Sequence, residues 1–242
     1  MSKALHENRA RLLTDLPPGH LLGPSQDSHP LVWLSDGPVR GAADWWARLY
    51  SRHPETGLYP LLLEYPDDSF EPTRGDYGAG VDAASYLRRE WTQDAWPAFE
   101  EWPGLAAPAA AVPDAAQPAG ELATALVRKS RAPCLALVEV SRGADAPAAL
   151  NWTGPANHMT AEELSVVLRS WEDRFGVRVV GFGQAYLYLS VAAPPTDIDQ
   201  ARVLALEHYA ACPDWFFVDP SMDLETYPEE LMKRREWEFW WD

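Results

Sequence analysis

Short apolar runs alternate with stretches of helical spacing, and both are clearest after residue 134. Cys134–Val140 (CLALVEV) is a continuous apolar run, the pattern of a strand buried on both faces. Thr160–Phe175 carries Leu164, Val167, Leu168 and Trp171 at helical spacing. Thr160 and Glu163 form a capping box at its start, Met159 and Leu164 match a hydrophobic staple, and Gly176 supplies a left-handed stop. Val177–Gly183 (VRVVGFG) and Ala185–Ala192 (AYLYLSVA) are strands joined too tightly for anything but a hairpin. Thr196 is positioned to cap a helix that runs to about Ala211, with Ala201, Leu204, Ala205 and His208 on one face, and Pro213 ends it. Leu224–Lys233 reads as a shorter helix and Glu236–Trp241 (EWEFWW) as a last strand. Alternation in that strand puts Trp237, Phe239 and Trp241 on one face and Glu236, Glu238 and Trp240 on the other. The order β-α-β-β-α-β is the split β-α-β of ferredoxin-like folds. The expected class is α+β, a mainly antiparallel sheet with helices on one face.

The first half is less regular. Its first sixteen residues are polar with a helical pattern. Leu31–Ser35 (LVWLS) is a short apolar run ended by the turn signal Asp36-Gly37-Pro38. Ala42–His53 has helical spacing through Trp46, Leu49 and Tyr50, with Pro54 and Gly57 as its stop. Tyr59–Tyr65 reads as a strand that Pro60 restricts to an edge or a strand start. Val81–Glu101 is mostly helical in pattern and carries Trp91 and Trp96. Residues 103–119 (PGLAAPAAAVPDAAQPA) have a proline every fifth position, which reads as a semi-rigid linker with nothing to build a core from. This divides the chain into an N-terminal α/β segment (1–102), the linker, and a C-terminal domain (120–242). If the N-terminal strands extend the C-terminal sheet, the chain is instead one domain with a long connection.

With 242 residues the chain is long enough for one or two cores without disulfides or metals. Its net charge of −16 argues against nucleic acid and against an anionic membrane surface, both of which need a basic face. The acids are concentrated: residues 64–101 and 197–242 carry a net −7 and −8. Such faces attract a basic partner, or serve as solvated surface. No run approaches the ~20 apolar residues of a membrane span, and no secretory leader is evident, so a cytoplasmic, reduced protein is expected. Two cysteines, Cys134 and Cys212, make neither a disulfide framework nor a four-cysteine metal site.

Candidate chemistry is sparse. HExxH, paired CxxC, P-loop and GxSxG motifs are missing, and Gly181-Phe182-Gly183 lacks a third glycine, so it suits a tight turn or bulge better than a nucleotide. No cofactor and no metal is expected. His208 and Cys212 share a helix face, but a thiolate is disfavoured at a helix C-terminus, so core packing is the better account. Asn157 and His158 precede the capped helix. With Trp171, Glu172, Glu207 and His208 they form a polar pocket if the two helices pack side by side. Twelve tryptophans exceed the seven phenylalanines; they fill the core or supply contact surface. Trp240, on the acidic side of the last strand, is the indole best placed to line a groove.

Asn151-Trp152-Thr153-Gly154, Asn157-His158, Leu164–Gly183, Leu189–Pro195, Glu207–Asp214 and the terminal WEFWWD together resemble the bacterial domain-of-unknown-function family numbered four-two-five-three, over residues 134–242. Trp46–Leu63 is similar to the leader such proteins carry. The resemblance implies no catalytic residues. Two readings follow. The first is a non-enzymatic, acidic protein-binding module, immunity- or antitoxin-like, whose partner is a basic protein. The alternative is an enzyme or small-ligand or metal sensor using the His/Glu/Asn pocket. The sequence does not decide whether the protein is an enzyme, nor its oligomeric state.

Overall fold

The computed structural model describes residues 3–22, 31–64, 70–73, 77, 82–91, 99, 101–130, 133–218 and 225–242. Helix α1 (Lys3–Thr14) leads into β1 (Gly19–Leu22), β2 (Val32–Ser35), α2 (Ala42–Thr56), β3 (Leu58–Leu63) and α3 (Ala83–Glu90). Helix α4 (Ala116–Ser130), β4 (Cys134–Glu139), a 3-10 turn at Gly143–Asp145, α5 (Ala146–Leu150) and α6 (Ala161–Phe175) follow. The chain ends with β5 (Arg178–Phe182), β6 (Tyr186–Ser190), α7 (Ile198–Ala211), α8 (Pro213–Val218), α9 (Tyr227–Leu231) and β7 (Glu236–Trp240). All seven strands form one sheet in the order β1-β2-β4-β3-β5-β6-β7. Every pairing is antiparallel except β3 with β5. The α+β class and the mainly antiparallel sheet agree with the sequence.

The spatial order corrects the ferredoxin-like arrangement. The motif's elements occur in the expected order along the chain, but its first and third strands are not neighbours. Instead β5, β6 and β7 run as a meander, and β3 from the first half lies between β4 and β5. All six residues of β3 are buried, so an interior position suits it. Pro60 therefore sits inside the sheet, not at an edge. It is tolerated there because pairing with β5 starts only at Leu62, so the missing N–H falls outside that ladder.

Helices cover both faces. On one, Trp46 and Leu49 of α2 and Leu122, Ala123 and Leu126 of α4 pack with Trp33, Leu62, Leu135, Leu137 and Val180. On the other, Leu164, Val167, Leu168 and Trp171 of α6 and Leu204 and Ala205 of α7 pack with Leu61, Leu63, Ala136, Val138, Leu187 and Leu189. Helices α3, α5, α6, α7 and α9 share this second face; α2 and α4, on the first, are what the one-face expectation lacked. The unbroken apolar run of β4 follows directly, since alternate residues enter two different cores.

Residues 103–119 take part in packing. Ala106, Ala115 and Ala119 are buried, and α4 begins within the stretch. Pro118 lies in the first turn of α4, where backbone N–H groups lack helical partners anyway. Smaller differences have similar causes. Helix α2 runs through Pro54 to Thr56 before Gly57, at φ 64°, closes it. Asp197, not Thr196, caps α7 by accepting from the Gln200 N–H. Helix α3 starts at Ala83, capped by Asp82, and is shorter than the predicted 81–101; Trp96 lies outside the described residues. Helix α6 has the expected capping box and the expected stop at Gly176. The β5–β6 hairpin is present, with a bulge between Val179 and Gly181.

Candidate functional site

The residues singled out for a polar pocket fall into separate networks. Glu207, on α7, is fully buried. Arg174 donates to both of its oxygens, from Nη1 at 2.8 Å and Nη2 at 2.6 Å. Trp171 Nε1 donates at 2.9 Å and the Ala106 N–H at 2.7 Å. Four donors saturate this carboxylate within the fold, leaving it no capacity for a ligand. The arrangement is a tie between α6, α7 and the 103–119 segment.

His208, one residue on, is also fully buried. Its Nδ1 lies 2.9 Å from the Tyr227 hydroxyl, and Trp237, Trp171 and Phe239 surround the ring at centroid distances of 4.4, 4.8 and 5.0 Å. Its Nε2 has no hydrogen-bond partner among the described residues. Burial, with the Arg174 charge adding to it, drives its pKa well below the usual histidine value. The imidazole is neutral and walled in. Cys212 donates its thiol to the Trp240 carbonyl at 3.0 Å, and burial pushes its pKa up to about 12. A thiol so protonated is no nucleophile.

Asn157 and His158 lie elsewhere. Asn157 Nδ2 donates to the Asp242 carbonyl at 2.6 Å, and His158 Nε2 lies 2.7 Å from Asp214 Oδ2, which also accepts the Asp242 N–H at 2.9 Å. These bonds hold residue 242 in place after β7. Glu172 forms a third network, 3.5 Å from Arg142 and 3.4 Å from Arg178. Trp171 reaches Glu207, but among the described residues no side-chain hydrogen bond joins either to Asn157, His158 or Glu172. Among the described residues no group of three or more His, Cys, Asp or Glu is placed to hold a metal ion.

The tryptophans are largely core. Trp33, Trp46, Trp152, Trp171, Trp237 and Trp241 are buried; Trp45, Trp91, Trp102, Trp215 and Trp240 are half-buried. A broad exposed indole surface is not present among the described residues. What remains is Trp240 and its surroundings.

Those surroundings form the best-defined surface site. In the β6–β7 ladder Tyr186 lies opposite Trp240, Tyr188 opposite Glu238, and Ser190 opposite Glu236, all on the face away from Trp237 and Phe239. The Tyr186 and Tyr188 rings are nearly parallel at 6.1 Å, and Trp240 lies 6.4 Å from Tyr186. Beside them opens a cleft of about 160 Å³ between α4 and the ends of β3 and β5. Leu62 and Leu126 supply its apolar side chains, and Glu64, Lys129, Tyr188 and Glu238 its polar lining. Leu126 and Lys129 are three apart on α4 and so face the cleft together.

Glu64 immediately follows β3 and accepts a short hydrogen bond from the Tyr188 hydroxyl. A side chain at Gly183 would meet its carboxylate, which would have to shift to make room. Burial and this bond raise the Tyr188 pKa. Burial also raises the Glu238 carboxyl above the ordinary glutamate range; Lys129, 3.8 Å away, opposes this, and Glu236 and Glu64 add to it. The cleft thus gathers more negative charge than its described residues neutralise.

Sequence alternation identified Glu236, Glu238 and Trp240 as one face, and the spacing of β6 likewise separates Tyr186 and Tyr188 from Leu187 and Leu189. The arrival of Glu64, 124 residues from Tyr188, has no local signal.

A predominantly antiparallel α+β sheet with an acidic, aromatic edge defines the class of this protein. Residues 134–242 match the model of a family described as a domain of unknown function, DUF4253. No curated protein and no solved structure matches the chain.

Proposed function

We propose that the chain is a non-enzymatic binding module that engages a basic protein through the β6–β7 face, an immunity- or antitoxin-like role being its concrete form. One observation carries the reading: Glu64, Glu236 and Glu238 surround an aromatic ladder of Tyr186, Tyr188 and Trp240, with Lys129 the single described cation in the cleft. A partner's cations would supply the missing charge, and the rings would supply contact area. Strand β7 ends the sheet, and its Glu236 and Glu238 would repel an identical acidic strand. The electrostatics therefore favour a basic partner over a second copy. The net charge of −16 speeds such an encounter.

The alternative, a sensor or enzyme built on Asn157, His158, Glu207 and His208, gains no support from the geometry. Glu207 is saturated, and His208 is sealed among aromatic rings. Co-purification from the native host at low and raised ionic strength tests the reading. A basic partner retained at low salt and released by high salt is expected. An acidic partner, or retention indifferent to salt, would overturn it.

A further inference from the structure

The cleft differs from the rest of the β6–β7 face in having depth. Leu62 and Leu126 give it an apolar floor, while Glu64, Lys129 and Glu238 supply its charged lining. This suits a molecule with a hydrocarbon stem and a cationic head better than a compact inorganic cation. It also suits a single long side chain, given a volume of about 160 Å³.

The two carboxylates are not closed upon themselves. Among the described residues Glu64 has the Tyr188 hydroxyl as its side-chain partner and no cation. Glu238 has Lys129 at 3.8 Å, beyond hydrogen-bond distance, and the Lys129 side chain is 63% exposed. Lys129 can swing into solvent at little cost, because an exposed pair of this length contributes almost nothing. The groups offered to an incoming side chain are then two carboxylates, a phenol ring and an apolar floor.

We propose that this cleft receives one arginine side chain of the basic partner, with its stem on Leu62 and Leu126 and its guanidinium between Glu64 and Glu238 beside the Tyr188 ring. The planar fork of a guanidinium pairs with carboxylates through two parallel bonds and stacks on aromatic faces; an ammonium does neither. The inference rests on the protein-binding reading and makes it specific: the β6–β7 face supplies the broad contact, and the cleft supplies the anchor.

The test uses small probes and the whole chain. An N-acetylated, C-amidated arginine peptide is titrated against its citrulline counterpart, which has the same shape without the charge. Backbone amide NMR shifts at Lys129, Gly183 and Glu238 are the readout. The arginine peptide is expected to shift these amides saturably and the citrulline peptide is not. Glu238→Gln should weaken the arginine peptide about tenfold, the loss expected for one charge-assisted hydrogen bond. Asp199→Asn, on exposed α7 surface, should leave it unchanged. Equal response to both peptides, or shifts absent from the cleft, would overturn the anchor. A salt-sensitive basic partner retained despite that result would leave the broader reading standing.

Discussion

Glu207 and Glu238 are both glutamates on regular elements, and their surroundings give them opposite roles. Glu207 receives four donors and holds the core together. Glu238 is pressed into a half-buried cleft with like charges nearby. Its folded pKa lies above its unfolded one, so the penalty for ionising it is absent below the unfolded carboxyl range. The penalty grows as the pH rises through the folded value and is complete above it. Glu238→Gln should therefore raise Tm at neutral pH, with a gain that shrinks on acidification. Differential scanning calorimetry at several pH values reads this; an unchanged or lower Tm at neutral pH would contradict it. His208 acts in the other direction. Its folded pKa is depressed, so its contribution is complete above the unfolded histidine value of about 6.5 and is lost as the pH falls below it. The loss approaches about 1.4 kcal/mol per pH unit, the work of one proton taken up only on unfolding. His208→Gln should flatten the acid limb of a urea-denaturation series. A variant as acid-sensitive as the parent chain would show that His208 is not the group responsible.

Helix α6 shows how far local sequence reaches. Thr160, Glu163 and Gly176 mark its ends by chemistry confined to a few residues, and both ends lie where those residues put them. Thr160→Ala removes the hydroxyl that accepts the Glu163 N–H and should cost about 1 kcal/mol in chemical denaturation. No measurable loss would mean that the cap is idle. The β5–β6 hairpin and β7 were legible for the same reason, since alternation and tight turns are local. Helix α4 was not. Only its first residues, with Pro118, fall in the stretch read as a linker, and tertiary packing of Leu122, Ala123 and Leu126 on the sheet is what fixes the helix. The insertion of β3 between β4 and β5 was equally hidden, because strand order is set by which buried surfaces fit and not by their sequence order. The candidate site divides along the same line. Glu236, Glu238 and Trp240 were visible as one strand face, whereas Glu64 and Lys129 come from β3 and α4, whose placement the sequence did not reveal. The residues of the expected His/Glu/Asn pocket lie in separate networks, since helix-face arguments cannot tell a carboxylate offered to a ligand from one already saturated by Arg174.

At the scale of the molecule, the helices, the tryptophans and the buried ion pair build two cores, one on each face of the sheet. The acidic excess is left to the surface. Exposed acids on α6 and α7, such as Asp173 and Asp199, flank the opposite face and contribute to the same overall field. Net charge alone would therefore draw a basic partner to any side of the protein. Under the proposed function, recognition belongs instead to the β6–β7 face. Paired charge reversals measure the difference directly, by calorimetric affinity for an arginine-rich peptide at moderate ionic strength. Glu236→Lys with Glu238→Lys should abolish most of the affinity, while Asp173→Lys with Asp199→Lys, the same change in net charge, should leave most of it. Equal losses from the two pairs would show attraction without a site and would contradict the account.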